Sequence, residues 1–146
     1  MRNDSADNSP PNGNGNSFVQ RSWIRKFRDA LRGVVVGVHG QSSFQVHLAI
    51  GGGVVIAGAA LRVTPVEWCV LALCIAGVLS AEMFNSSLES MAKAITGENH
   101  PHLGNSLDIA SAAVLVASIG AAVVGAIIFG HRLGILLGWW PSGSAS

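Results

Sequence analysis

The sequence has few charged residues: Asp, Glu, Lys and Arg make up 12% of its 146 residues, whereas 49% are hydrophobic. Its mean hydropathy is +0.45, and the charges cluster outside the long apolar runs. A soluble domain spreads charge along every element, so this shortage predicts a single-domain membrane protein with several spans. Nine basic and eight acidic residues give a net charge of +1, which excludes the strong basic surface of a nucleic-acid-binding protein.

Cysteines and nucleotide-binding motifs are also scarce. Cys69 and Cys74 lie in one apolar run and point about 140° apart on a helix, which favours buried thiols over a disulfide or a metal pair.

No G-x-x-x-x-G-K-[ST] sequence occurs, which argues against a P-loop. The three glycines at residues 51–53 are instead interpreted as a place where helices approach closely. His100 and His102 have no cysteine or third ligand beside them, so we interpret them as surface histidines.

The first 32 residues form two contrasting parts. Residues 1–17 are rich in Asn, Ser, Pro and Gly and are predicted to be a disordered tail without the apolar core of a signal peptide. Residues 18–32 place apolar residues at helical intervals among five basic ones, which predicts a basic amphipathic helix. Such a helix lies in the headgroup region of an anionic leaflet or packs on a protein core. The membrane-surface interpretation is favoured because so little of the chain can form a soluble core.

Three apolar segments are each long enough to cross about 30 Å of hydrocarbon. They cover residues 44–61, 66–84 and 109–129. The second segment continues as an amphipathic helix through Ile95, and residues 96–105 form a polar loop broken by Gly and Pro. Ser106 and Asp108 suit the N-terminus of the third helix.

The distribution of basic residues predicts the orientation in the membrane. Five Lys and Arg residues lie in residues 18–32, before the first span, but only Arg62 lies in the turn after it, so the N-terminus is expected in the cytoplasm. The polar loop between the second and third spans then faces the cytoplasm as well. We therefore predict a tail at 1–17, a membrane domain at 18–132, and an interfacial apolar stretch followed by a disordered tail at 133–146.

A polar stripe lies at the end of the second span. Glu82, Asn85 and Glu89 follow one another at i, i+3 and i+7 and therefore share one helix face. An ionisable residue within a span costs roughly 2.5–3.5 kcal/mol on insertion scales, and function is its default explanation. The alternative is a pair of solvated carboxylates at the start of a loop. Carboxylates, an amide and basic residues at one membrane surface suit a metal-assisted reaction between a lipid headgroup and a water-soluble co-substrate.

Residues 26–129 resemble the small integral-membrane bacterial lipid kinases, the prokaryotic diacylglycerol kinase and undecaprenol kinase family. Glu82 and Asn85-Ser86-Ser87-Leu88-Glu89 are similar to the family pattern E-x-x-N-[ST]-A-[IL]-E, and matching flanks are found at 27–33, 44–48 and 108–115. The resemblance implies an all-α homotrimer of three-span protomers, each preceded by a surface helix, in the bacterial inner (cytoplasmic) membrane. It also implies transfer of the ATP γ-phosphoryl group to the hydroxyl of a membrane lipid, either diacylglycerol or undecaprenol.

The resemblance further implies roles for individual residues. Glu82 matches the catalytic base, Asn85 a polar positioning residue beside it, and Glu89 a ligand of the nucleotide's magnesium ion. Asp108 matches a further residue of the catalytic site. Contacts with the bound nucleotide are expected from Arg28, Gln41 and Lys93.

Three positions depart from the family pattern. Gln41 stands where the family has a second metal-binding Glu, Leu107 where it has Lys, and Lys93 where it has Asp. Lys93 lies four residues after Glu89 on the same helix face, an arrangement that allows the two side chains to pair. The departures leave an alternative function, a catalytically impaired membrane protein of the same fold that binds lipid or assembles with partners.

Overall fold

The computed structural model describes residues 23–40, 42–95 and 100–141, and these form four helices. Helix α1 spans Trp23–Gly40, α2 Ser42–Ala60, α3 Pro65–Ile95 and α4 Pro101–Leu136. Helices α2, α3 and α4 are long and apolar enough to cross a membrane. This confirms the predicted all-α fold with three membrane-spanning helices and a separate N-terminal helix. Both predicted disordered tails lie outside the described residues.

The apolar face of α1 is left open by the other residues that the structure describes. Trp23, Ile24 and Phe27 are 69–84% exposed, and the Lys26 ammonium lies 4.9 Å from the centre of the Trp23 ring. An open apolar face with cations beside it suits the boundary between headgroups and acyl chains. The structure therefore favours the membrane-surface interpretation of this helix over packing on a protein core.

Two buried glycines bring α2 and α3 together. A Cβ atom at Gly58 would lie 2.8 Å from the Trp68 ring, and one at Gly51 would lie 3.4 Å from Ile75. Any larger side chain at Gly58 would therefore push the helices apart. The chain reverses between α2 and α3 in a tight turn that places Arg62 in the left-handed region, with a φ of 52°.

Helix α4 begins at Pro101, earlier than the predicted start at residue 109. His100 is the extended residue before the helix, and a proline at the first helical position is favourable because its φ is fixed and no N–H is needed there. Ser106 and Asp108 consequently lie inside α4 instead of at its N-terminus. The prediction was wrong because the hydropathy of this segment marks where the apolar part of the helix begins, whereas the helix itself starts in a polar sequence.

Helix α4 also continues through Leu136. The apolar stretch that was predicted to begin a separate segment at residue 133 therefore starts inside the last turn of α4. Gly138, with a φ of 75°, ends the helix in the left-handed conformation that glycine adopts without strain. The N–H of Trp139 then donates to the Gly134 carbonyl at 2.9 Å, and the Trp140 ring packs on Gly134.

An ion pair that the sequence analysis did not predict joins α3 to the far end of α4. Arg132 donates from Nε and Nη2 to Oε2 of Glu67 at 2.9 and 2.5 Å, and both side chains are 20% exposed. The same carboxylate accepts hydrogen bonds from the Thr64 N–H and hydroxyl at 2.6 and 2.8 Å. One carboxylate therefore holds the α2–α3 turn, the first turn of α3 and the end of α4 together.

We expect Arg132→Lys to destabilise the fold, because an ammonium cannot make the two parallel hydrogen bonds of a guanidinium. Hydrogen bonds to charged groups contribute about 1.5–3 kcal/mol each, and partial exposure places the loss here near the lower value. Thermal unfolding in detergent measures the change. Arg62→Lys makes the same substitution at an exposed residue of the nearby turn and should leave the melting temperature unaltered. Equal melting temperatures for both variants would contradict the role of this pair.

Candidate active site

The polar stripe of α3 lies where the first turns of α2 and the N-terminal part of α4 come together. Glu82 is 1% exposed and Asn85 is 7% exposed, and Glu89 is half-buried. The structure therefore rejects the interpretation of Glu82 as a solvated carboxylate, and it places both carboxylates inside α3 and not at the start of a loop. A fully buried carboxylate needs polar partners from neighbouring helices.

Helix α2 supplies two polar groups to Glu82. The hydroxyl of Ser43 donates a hydrogen bond to Glu82 Oε1, and Nε2 of His47 lies 3.7 Å from the same oxygen. Sequence reasoning missed Ser43 and noted His47 only within a matching segment. The available signal was their spacing of four, which places two polar residues on one face of a helix that is apolar after His47.

Asn85 connects the stripe to α4. Its Nδ2 donates to Glu89 Oε1 at 3.0 Å, while its Oδ1 accepts from the Ser111 hydroxyl at 3.4 Å. Because the amide is held from both sides, it fixes the orientation of the Glu89 carboxylate. Ser111 is a second site residue that sequence reasoning did not single out.

Three of the other expected site residues are described, and all three are exposed. Asp108 is exposed and lies three residues before Ser111, on the same side of α4. Lys93 is exposed one turn beyond the stripe, and Arg28 is exposed on α1. Gln41 lies outside the described residues. In the described part of the chain, no three His, Cys, Asp or Glu side chains converge as a metal site.

The length of α3 gives the depth of the stripe. A rise of 1.5 Å per residue places Glu82 about 22 Å and Glu89 about 33 Å from Glu67 along the helix. The hydrocarbon of a bilayer is about 30 Å thick. If the Glu67–Arg132 pair lies at one membrane surface, Glu82 lies about 8 Å inside the opposite edge of the hydrocarbon, and Glu89 lies just outside that edge. On that placement the stripe reaches from inside the hydrocarbon to its edge.

A cavity of about 480 Å³ lies between α2, α3 and α4, and His47 lines it next to Glu82. Most of its wall is apolar, and small residues of α4 such as Ala121 and Gly125 give it width. The Ser118 hydroxyl in this wall is buried and has no hydrogen-bond partner among the described residues. Among the described residues in polar contact with Glu82, His47 is the one that lines this cavity.

Comparisons with known proteins agree with this geometry. Residues 28–129 match the family model described as prokaryotic diacylglycerol kinase. The chain is 30% identical over 111 residues to an undecaprenol kinase of Bacillus subtilis strain 168, covering 76% of this chain and 90% of that protein. It is 33% identical over 108 residues to a diacylglycerol kinase of a Synechocystis species, covering 73% of this chain and 62% of that protein. No solved structure gives a significant match.

Proposed function

The chain belongs to the prokaryotic diacylglycerol kinase family, and on that premise we propose which of its residues carry out the reaction. Family membership makes it an ATP-dependent lipid kinase of the diacylglycerol and undecaprenol kinase type, in a membrane. The observation that carries the proposal is the α3 stripe, with a buried carboxylate at Glu82 and a second carboxylate at Glu89 that lies two turns closer to water. A reaction between a lipid hydroxyl and a soluble nucleotide needs groups at these two depths.

In the proposed reaction Glu82 accepts the proton of the lipid hydroxyl while the hydroxyl oxygen attacks the γ-phosphorus of ATP. The new O–P bond forms as the bond to the bridging oxygen breaks, and ADP leaves. Most of the catalysis of phosphoryl transfer comes from positioning and charge stabilisation. The hydrogen bond from Ser43 supplies positioning for Glu82, since it fixes the plane of the carboxylate.

The residues present fit a magnesium ion carried by the nucleotide. Mg²⁺ is usually bound by one or two carboxylates together with substrate phosphates, and Glu89 offers a carboxylate oriented by Asn85. When bound, the ion neutralises charge on the phosphates. We propose that the exposed Asp108 completes the catalytic site, and that nucleotide contacts come from Arg28, Gln41 and Lys93.

Further parts of the proposal concern assembly and location. We propose a homotrimer, which would cover part of the exposed apolar surface formed by side chains such as Leu73 and Val116, 73% and 70% exposed. We place the kinase domain at residues 18–132, in the bacterial inner membrane with the N-terminus in the cytoplasm. That orientation puts the stripe on the side where ATP is available and agrees with the basic character of α1.

The acceptor lipid and the activity are tested together. Purified protein in mixed micelles is given γ-labelled ATP and either diacylglycerol or undecaprenol, with and without magnesium. We expect magnesium-dependent label in at least one of the two lipids, and the stronger acceptor defines the substrate. Absence of label in both lipids, with the protein folded, would contradict the kinase proposal and favour the non-catalytic membrane protein of the same fold.

A further inference from the structure

We propose that His47 is the proton-transfer partner of Glu82: it takes up the proton that Glu82 has removed from the lipid hydroxyl and releases it to water at the membrane surface. The inference rests on the proposed function, because it concerns the return of Glu82 to its carboxylate form after each turnover.

The burial of Glu82 creates the need for such a partner. With 1% of its surface exposed, the protonated carboxyl group has no direct contact with bulk water. A carboxylic acid that keeps its proton cannot act as a base in the next cycle. The proton must therefore pass to a neighbouring side chain that reaches water.

His47 meets both requirements. Its Nε2 lies 3.7 Å from Glu82 Oε1, and its side chain is 20% exposed whereas that of Glu82 is 1% exposed, so the ring is the more accessible of the two groups. His47 is five residues after Ser42, the first residue of α2, which places it about 7.5 Å from the end of the helix. Catalytic hydrogen bonds that are long in a ligand-free site commonly shorten once the substrate is bound.

The other groups around His47 are poorer proton carriers. From α3 the cavity wall presents the Cys74 thiol, and from α4 it presents the Ser118 hydroxyl. Ser43, one turn before His47 on α2, already donates a hydrogen bond to Glu82. The ring nitrogen of a neutral imidazole is a base that can accept and release a proton, whereas a serine hydroxyl is not, so the histidine is the suited acceptor.

The transfer is balanced without any further reactant. In the chemical step the lipid O–H bond breaks and an O–H bond forms on Glu82. In the second step this O–H bond breaks, an N–H bond forms at Nε2 of His47, and Glu82 is a carboxylate again. The imidazolium then loses a proton to water, which returns the ring to its neutral form.

The experiment compares His47→Gln and His47→Ala with the wild type in the lipid phosphorylation assay, using whichever of diacylglycerol or undecaprenol the wild type labels. We expect kcat to fall roughly 10- to 100-fold, at or below the lower end of the range for loss of a general acid or base, with the KM values for ATP and lipid unchanged. Added imidazole should restore His47→Ala several-fold, because the cavity beside residue 47 has room for the free ring. His39→Ala is the matched control, since that exposed histidine lies on α1 and bonds to the Val35 carbonyl. It should show neither loss nor rescue.

Each contrary outcome points to a different error. If the wild type labels lipid and His47→Gln keeps its full kcat, the inference fails while the proposed function stands. If the folded wild type labels neither lipid, the proposed function fails, and the inference fails with it.

If His47→Ala does not fold, the solvent isotope effect on kcat of His47→Gln decides instead. That effect should be larger than in the wild type. An unchanged effect overturns the inference.

Discussion

Glu82→Gln should lower the turnover of lipid phosphorylation by about 10²–10⁴-fold, the range for loss of a general base. The substitution keeps the volume of the side chain and an oxygen that accepts the hydrogen bond from Ser43, so the packing around residue 82 is preserved. An amide, however, cannot take up the proton of the lipid hydroxyl. Nucleotide binding should remain close to that of the wild type, because Glu82 lies on the lipid side of the stripe.

Turnover with γ-labelled ATP and direct binding of a nucleotide analogue measure the two parts of this prediction. Glu67→Gln is the matched control, because it makes the same change on the same helix about 22 Å away. That variant should melt at a lower temperature, since it weakens the pair with Arg132, yet turn over normally while folded. A Glu82→Gln protein with wild-type turnover would rule out Glu82 as the base.

Glu89→Gln should raise the magnesium concentration needed for half-maximal activity, and should lower the rate at saturating magnesium. An amide oxygen is a weaker ligand for this hard cation than a carboxylate. Altering the groups that merely support a metal ligand costs 10–100-fold in affinity or activity, so loss of the ligand itself should cost about that much or more.

Magnesium titrations of the wild type and the variant, at fixed ATP and lipid, measure this effect. Ser90→Ala changes the adjacent exposed residue of α3 and should leave the titration curve unaltered. If Glu89→Gln requires no more magnesium than the wild type, Glu89 is not a ligand of the ion. Glu82→Gln is titrated with magnesium in the same way, because the two variants are expected to differ in their response to magnesium.

The sequence by itself determined the features that depend on a single helix. Apolar segments of membrane length predicted α2, α3 and α4, and the spacing of Glu82, Asn85 and Glu89 predicted that they share a face. Both predictions follow from local geometry, since the helical repeat fixes the direction of each side chain relative to its neighbours. Where helix formation and hydropathy do not coincide, as at the polar start of α4 at Pro101, the same reasoning misplaced the boundary.

Only the tertiary structure decided which groups meet across helices. The contacts of Glu82 with Ser43 and His47 join residues 39 and 35 positions apart, and Glu67 meets Arg132 across 65 positions. Such contacts depend on the rotation and the axial shift of one helix against another. Those two quantities are set by packing, for example by the close approach at Gly58. The residue pattern within a single helix therefore does not predict them.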